Sequence, residues 1–156
     1  MITWTEFQRQ QPALAQAGRD QLYQHGPGLG FLATIRKDGG PRVHPVCPVI
    51  TTAGMHVVIA PGPKRADLRR DGRYSLHSET FAPPCEDDGF AVSGRAAEVA
   101  DRATRGIVRD QVLADFGALW PYFDELTLFE LSVASCLLTL TQPDEVFPKG
   151  PTIWKA

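Results

Sequence analysis

The spacing of apolar residues changes along the chain, and each change predicts an element. Phe7, Leu14, Ala17 and Leu22 recur at roughly helical spacing and stop at Gly26-Pro27-Gly28, while Thr5 followed by Gln8 fits a capping box. An N-terminal helix over about 5–24 is expected. From Gly30 the period falls to two: Phe31, Ala33 and Ile35 alternate with Leu32, Thr34 and Arg36, before Asp38-Gly39-Gly40 supplies hairpin-turn chemistry. Arg42 to Thr51, rich in Val and Ile, predicts a second strand. Thr52-Ala53-Gly54 predicts a turn, and Met55 to Ala60 a third strand.

Pro61-Gly62-Pro63 breaks that strand, Lys64 to Arg70 is long enough for two helical turns, and Asp71-Gly72 stops them before Arg73 to Ser78 resumes extended structure. Thr80 to Asp88 reads as a Pro- and acid-rich loop. Gly89 to Val99 reads as a fifth strand with Phe90, Val92 and Gly94 on one face. Asp101 then caps a helix whose stripe of Ile107, Val108, Val112 and Phe116 ends at Gly117, and Thr127 to Thr141 is a long last strand ahead of a Pro-rich tail. Six mostly sequential strands with short turns and no βαβ rhythm predict a mainly β (α+β) chain. The expected architecture is a single domain over 1–156, holding a six-stranded antiparallel barrel over about 30–141, closed or nearly so, with flanking helices.

Composition narrows the function classes. A chain of 156 residues, 43% hydrophobic and 22% charged, is one soluble domain's worth. Its first apolar runs are too short to span a bilayer, so no membrane partner and a cytoplasmic location are expected. A net charge of −2 argues against broad nucleic-acid binding. Cys47, Cys85 and Cys136 lie far apart without CxxC spacing, which reads as three free thiols rather than a disulfide framework or zinc site.

Against that net charge, residues 60–73 hold five of the sixteen Lys and Arg. In a helix over this stretch Arg69 and Arg70 occupy the last turn, where cations complement the macrodipole. Lys64 and Arg65 fall in the first turn, where the dipole disfavours them unless an anion is near. A bound phosphate or plain solvation both satisfy that spacing. Arg42 and His44, two apart on a predicted strand, share a face, and each reads equally as a site residue or as a surface side chain. Other chemistry has no anchor. Gly26, Gly28 and Gly30 do not match the dinucleotide-loop spacing and precede a strand, no Walker motif surrounds Lys64, and no Ser or Cys stands in a nucleophile elbow. His44, His56 and His77 lack metal-ligand spacing, and the acidic run Glu86-Asp87-Asp88 reads as a solvated loop, so no metal site is expected.

FLATIRKDGGPRVHPV, KRADLRRDGRYSLH and GFAVSGRAAEV together resemble the pyridoxamine 5′-phosphate oxidase-like FMN-binding split-barrel family, from about Leu29 to Val99 and more loosely through LFELSVAS. The resemblance implies that Lys64, with Arg65 beside it, meets a flavin phosphate. It implies that Arg42, Val43, His44, Pro45 and Val46 line ring and phosphate, and that Ile59 and Ala60 flank the ring. It implies a homodimer with the cofactor between subunits. Trp154 is then placed to cover a ring, with plain packing of the tail as the alternative. The expected activity is two-electron (hydride) transfer between bound FMN and a small organic substrate. A deazaflavin-dependent reductase of the same fold is the alternative, and a non-catalytic flavin- or haem-binding protein, with His44 as axial ligand, the third reading. The ending PTIWKA differs from the Arg-rich terminal segment of true pyridoxamine phosphate oxidases, so that particular reaction is not expected.

Overall fold

The computed structural model describes residues 1–80, 88–141 and 150–156. The expected loop over Thr80 to Asp88, with Cys85 and most of the acidic run, falls largely outside the described residues, as does most of the Pro-rich tail.

Two helices open the chain where one was expected. α1 spans Trp4–Gln10 and α2 spans Pro12–Leu22. Pro12 has no N–H to donate, so it ends one helix and sits at the first position of the next. The capping box also lies two residues earlier than expected. Thr3 accepts from the Glu6 amide, and the Glu6 carboxylate receives the Thr3 N–H at 2.8 Å.

Eight strands follow rather than six: β1 Gly30–Ile35, β2 Pro41–Val46, β3 Val49–Thr51, β4 Gly54–Ile59, β5 Arg73–Ser78, β6 Gly89–Glu98, β7 Thr127–Thr139 and β8 Thr152–Lys155. The two extra strands have separate causes. Cys47-Pro48 interrupts the apolar run expected as one strand, because Pro48 cannot join a ladder, and the tail adds β8 against β7. Between the strands lie α3 (Pro63–Arg70), α4 (Arg102–Phe116) and a short 3-10 turn at Phe123–Glu125. Both ends expected for α4 are present, Asp101 accepting from the Thr104 amide and Gly117 closing it in the left-handed conformation at φ 69°.

The strands form one antiparallel sheet in the order β2-β1-β5-β6-β7-β4-β3, with β8 also on β7. The outermost strands of that path, β2 and β3, are joined through Cys47 and Pro48 alone. Three peptide steps span at most about 11 Å, so the two edges must meet and the sheet must curl into a barrel. No ladder joins β2 to β3, which leaves the barrel split along that seam. β7 is the long member, paired with β6 along most of its length and covered on its other edge by β4, then Ile2, then β8.

The barrel interior holds Leu32, Met55, Val57, Ile59, Leu76, Phe90, Val92, Leu131 and Val133. Trp4 and Phe7 of α1 and Leu22 of α2 close over the same core, with Trp4 edge-on to Phe90 at 6.1 Å. α4 packs outside, its Val108 and Val112 against Val49 and Leu128. In β1 the inward residues are Leu32 and Thr34, while Phe31, Ala33 and Ile35 face out. With Val43 of β2, 58% exposed, Phe31 leaves apolar surface on the outer face of these strands.

Candidate functional site

α3 follows β4 directly and carries the basic cluster. Gly62 at φ 153° turns the chain into the helix, a conformation that disfavours any side chain, and Pro63 occupies the first helical position. No side chain caps this end and no acid stands in its first turn. The amides of Lys64 and Arg65 are therefore among the free donors of a helix start, where the dipole is positive. Leu68, one turn beyond Lys64 and Arg65, anchors the helix in the barrel core.

The five cations of the cluster divide by their partners. Arg69 makes a forked pair with Glu98, both bonds 2.8 Å; Arg70 bonds Asp67 at 3.0 and 3.1 Å and also donates to the Ile35 carbonyl; Arg73 bonds Asp71 at 2.6 Å. Lys64 and Arg65 have no carboxylate within ion-pair distance among the described residues. Lys64 Nζ lies 3.5 Å from the Pro45 carbonyl oxygen, and Arg65 Nη1 is 3.4 Å from the Thr127 hydroxyl. Burial pushes the Lys64 ammonium below the ordinary lysine range, and the neighbouring Cys47 works weakly against that. Two under-neutralised cations at an uncapped helix start form an arrangement that an anion satisfies.

Arg42 belongs to a different group. Its Nε donates to Asp67 at 2.6 Å, so the buried Asp67 carboxylate ties β2 to α3 and also receives Arg70 and, at 3.4 Å, the Thr34 hydroxyl. Burial would raise the Asp67 carboxyl, but the bonds from Arg42 and Arg70 outweigh it and hold it below the usual carboxylate range. Arg42 thus has a structural role that spacing left open.

His44 is exposed on the same face of β2, opposite Leu32 of β1, as the two-residue spacing required. Val43 and Pro45 are exposed, and Val46 is buried in the core. Ile59 is buried and Ala60 exposed at the point where β4 leads towards α3. Pro45, Cys47, Ala60, Lys64 and Arg65 therefore gather at the end of the barrel where β2, β4 and α3 meet. Trp154 does not join them. It lies opposite Cys136 on β7 and packs on Phe7 at 4.9 Å, whereas Arg65 touches Thr127 nine residues earlier on that strand, roughly 30 Å away along an extended chain. Within one chain its role is packing of the tail.

Sequence reading missed Asp67, Thr127 and Cys47. Asp67 stands three residues before Arg70, a spacing that brings helical side chains together, and that was the one available signal. Thr127 and Cys47 reach the site through tertiary contacts and carry no local mark. Burial raises the Cys47 thiol while Lys64 opposes the shift, so it stays protonated near neutral pH.

No protein-family model matches the chain, and no curated protein shows significant sequence similarity to it. Solved structures do share its fold. A haem-binding protein from Mycobacterium smegmatis is 15% identical with a TM-score of 0.64, over 89% of this chain and 57% of that one. HutZ, described as a haem storage protein from Vibrio cholerae, is 17% identical with a TM-score of 0.60, over 79% and 89%. A protein from Clostridium acetobutylicum related to general stress protein 26, of the pyridoxinephosphate oxidase family, is 11% identical with a TM-score of 0.58, over 97% and 95%. This chain spans little more than half the length of the mycobacterial protein. With one curled antiparallel sheet split between β2 and β3, and these structural neighbours, the chain has the split-barrel fold of the pyridoxamine 5′-phosphate oxidase-like proteins.

Proposed function

We propose that this chain is a flavin-binding oxidoreductase, holding the phosphate of FMN at the start of α3 with Lys64 and Arg65. The observation that carries the reading is the division of the basic cluster: three arginines are matched by carboxylates, and among the described residues the two first-turn cations are not. Bound flavin would supply two-electron transfer with a small organic substrate. The chain's own part is to bind and orient. Lys64 and Arg65 neutralise phosphate charge, the uncapped amides of α3 donate to it, and the exposed Val43, Pro45 and Ala60 offer apolar surface beside it. A deazaflavin coenzyme carries a phosphate that the same cations fit.

The test is fluorescence titration of apo-protein with FMN and with riboflavin, which lacks the phosphate. Lys64→Ala should weaken FMN by about 1.5–3 kcal/mol, the value of a charge-assisted bond, and riboflavin much less. Equal losses for both ligands would mean that Lys64 does not read phosphate.

A non-catalytic haem-binding role is the second reading. It is favoured by His44, exposed on β2 with no hydrogen-bond partner among the described residues, and by the haem-binding and haem-storage descriptions of two structural neighbours. The visible spectrum of protein purified from its own host separates FMN, deazaflavin and haem, and a Soret band lost in His44→Ala would overturn the flavin reading.

A further inference from the structure

A second basic group lies on α4, outside the α3 site. Arg102, Arg105 and Arg109 recur at i, i+3 and i+7, so three guanidiniums share one face over about 10 Å of helix. Between that face and the Phe123–Glu125 turn is a cavity of about 540 Å³, lined by the three arginines, Gly106, Phe123 and Asp124 among others.

The three arginines are not equivalent. Arg105 is half-buried and donates to the carbonyls of Leu126 and Phe123 at 3.2 Å and of Asp124 at 3.4 Å, which fixes the turn as one wall of the cavity. Arg102 and Arg109 are exposed and have no ion-paired carboxylate among the described residues. Among the described residues Asp124 is the one carboxylate on the wall, and it pairs with none of the three. Gly106 is the second, independent observation. A glycine inside a helix weakens it relative to alanine, yet a Cβ built there meets no atom within 4 Å, so packing does not require it. Open space therefore lies over the helix at this position, between the arginines.

We infer that this cavity is a binding site for a small organic polyanion, its phosphate or carboxylate oxygens held by Arg102 and Arg109 while Arg105 holds the wall. The site uses different side chains from Lys64 and Arg65. The two approach each other at the start of β7, where Arg105 bonds the Leu126 carbonyl and Arg65 the Thr127 hydroxyl. The inference does not rest on the flavin reading and stands or falls separately from it.

The experiment is a backbone-amide NMR titration of the full chain with pyrophosphate and, in a separate arm, with citrate, against KCl at matched ionic strength. Saturable shifts at residues 102–109 and 123–126 are expected, and the arm that saturates at lower concentration names the anion as phosphate or carboxylate. The double variant Arg102→Gln/Arg109→Gln, both exposed positions, should weaken binding at least tenfold. Gly106→Gln should weaken it comparably without lowering Tm, since glutamine favours the helix and fills the opening. Lys64→Ala should leave it unchanged. Shifts that KCl reproduces, shifts confined to residues 62–66, or undiminished binding in the double variant would overturn the assignment.

Discussion

Asp67 and Glu98 each receive an arginine of α3, and their surroundings set what each pair contributes. Asp67 is buried and accepts from Arg42, Arg70 and Thr34, whereas the Arg69–Glu98 pair is nearly half exposed on both sides. Asp67→Asn should therefore lower stability by about 1.5–3 kcal/mol in urea denaturation, as guanidiniums lose their counter-charge. Arg69→Ala should change it far less and leave FMN affinity nearly unaltered. Comparable losses for the two variants would mean that Asp67 is not the tie between β2 and α3. His56 acts through pH. It is fully buried, and that burial outweighs the opposing Gly54 backbone and lowers its pKa from 6.5 to about 4. Between those values the unfolded chain binds a proton that the folded chain refuses, so stability is full above about pH 6.5 and falls as pH drops towards 4. The loss approaches about 3 kcal/mol. Asp67, held below its ordinary range, adds a loss at lower pH as it protonates. Urea midpoints across pH 4–7 should show the first slope in the parent protein and a flatter one in His56→Gln. Equal slopes would remove His56 as the cause.

Among the elements, α3 and α4 were the most legible. Their boundaries follow from Pro63, Asp101 and Gly117, and the first-turn position of Lys64 and Arg65 marked them out before any partner was known. The N-terminal helix was less so, since an apolar period runs through Pro12 while the backbone cannot. β8 was illegible. Its burial pattern is mostly exposed, and it becomes a strand because β7 offers an edge beyond β4. Trp154 on that strand packs on Phe7, so Trp154→Ala should lower stability by about 2 kcal/mol and leave the FMN titration alone. Weakened FMN binding with unchanged stability would instead restore a role for Trp154 at a partner's site.

At the scale of the whole molecule, the described residues leave apolar side chains exposed on one face of the barrel. Phe31 and Val43 point outward from adjacent strands β1 and β2, next to the end where Pro45 and Lys64 meet. We expect a second copy of the chain to cover this face, which would bring the two α3 sites close to one interface. Sedimentation at micromolar concentration should report a dimer, and Val43→Asp should shift it to monomer with weaker FMN binding. A Val43→Asp protein that stays dimeric would place the interface elsewhere.

Local chemistry alone determined the antiparallel β class, the turns, two of the helices and the split of the basic cluster into first-turn and last-turn cations. These depend on neighbours within four residues, which spacing records. Only the tertiary structure decided that Leu32 and Thr34, not Phe31 and Ile35, face the core, because strand alternation defines two faces but not which one is inside. The same holds for the carboxylates. Glu98 lies 29 positions from Arg69 and Asp67 lies 25 from Arg42, so the fold, not the local sequence, chose which cations these carboxylates neutralise.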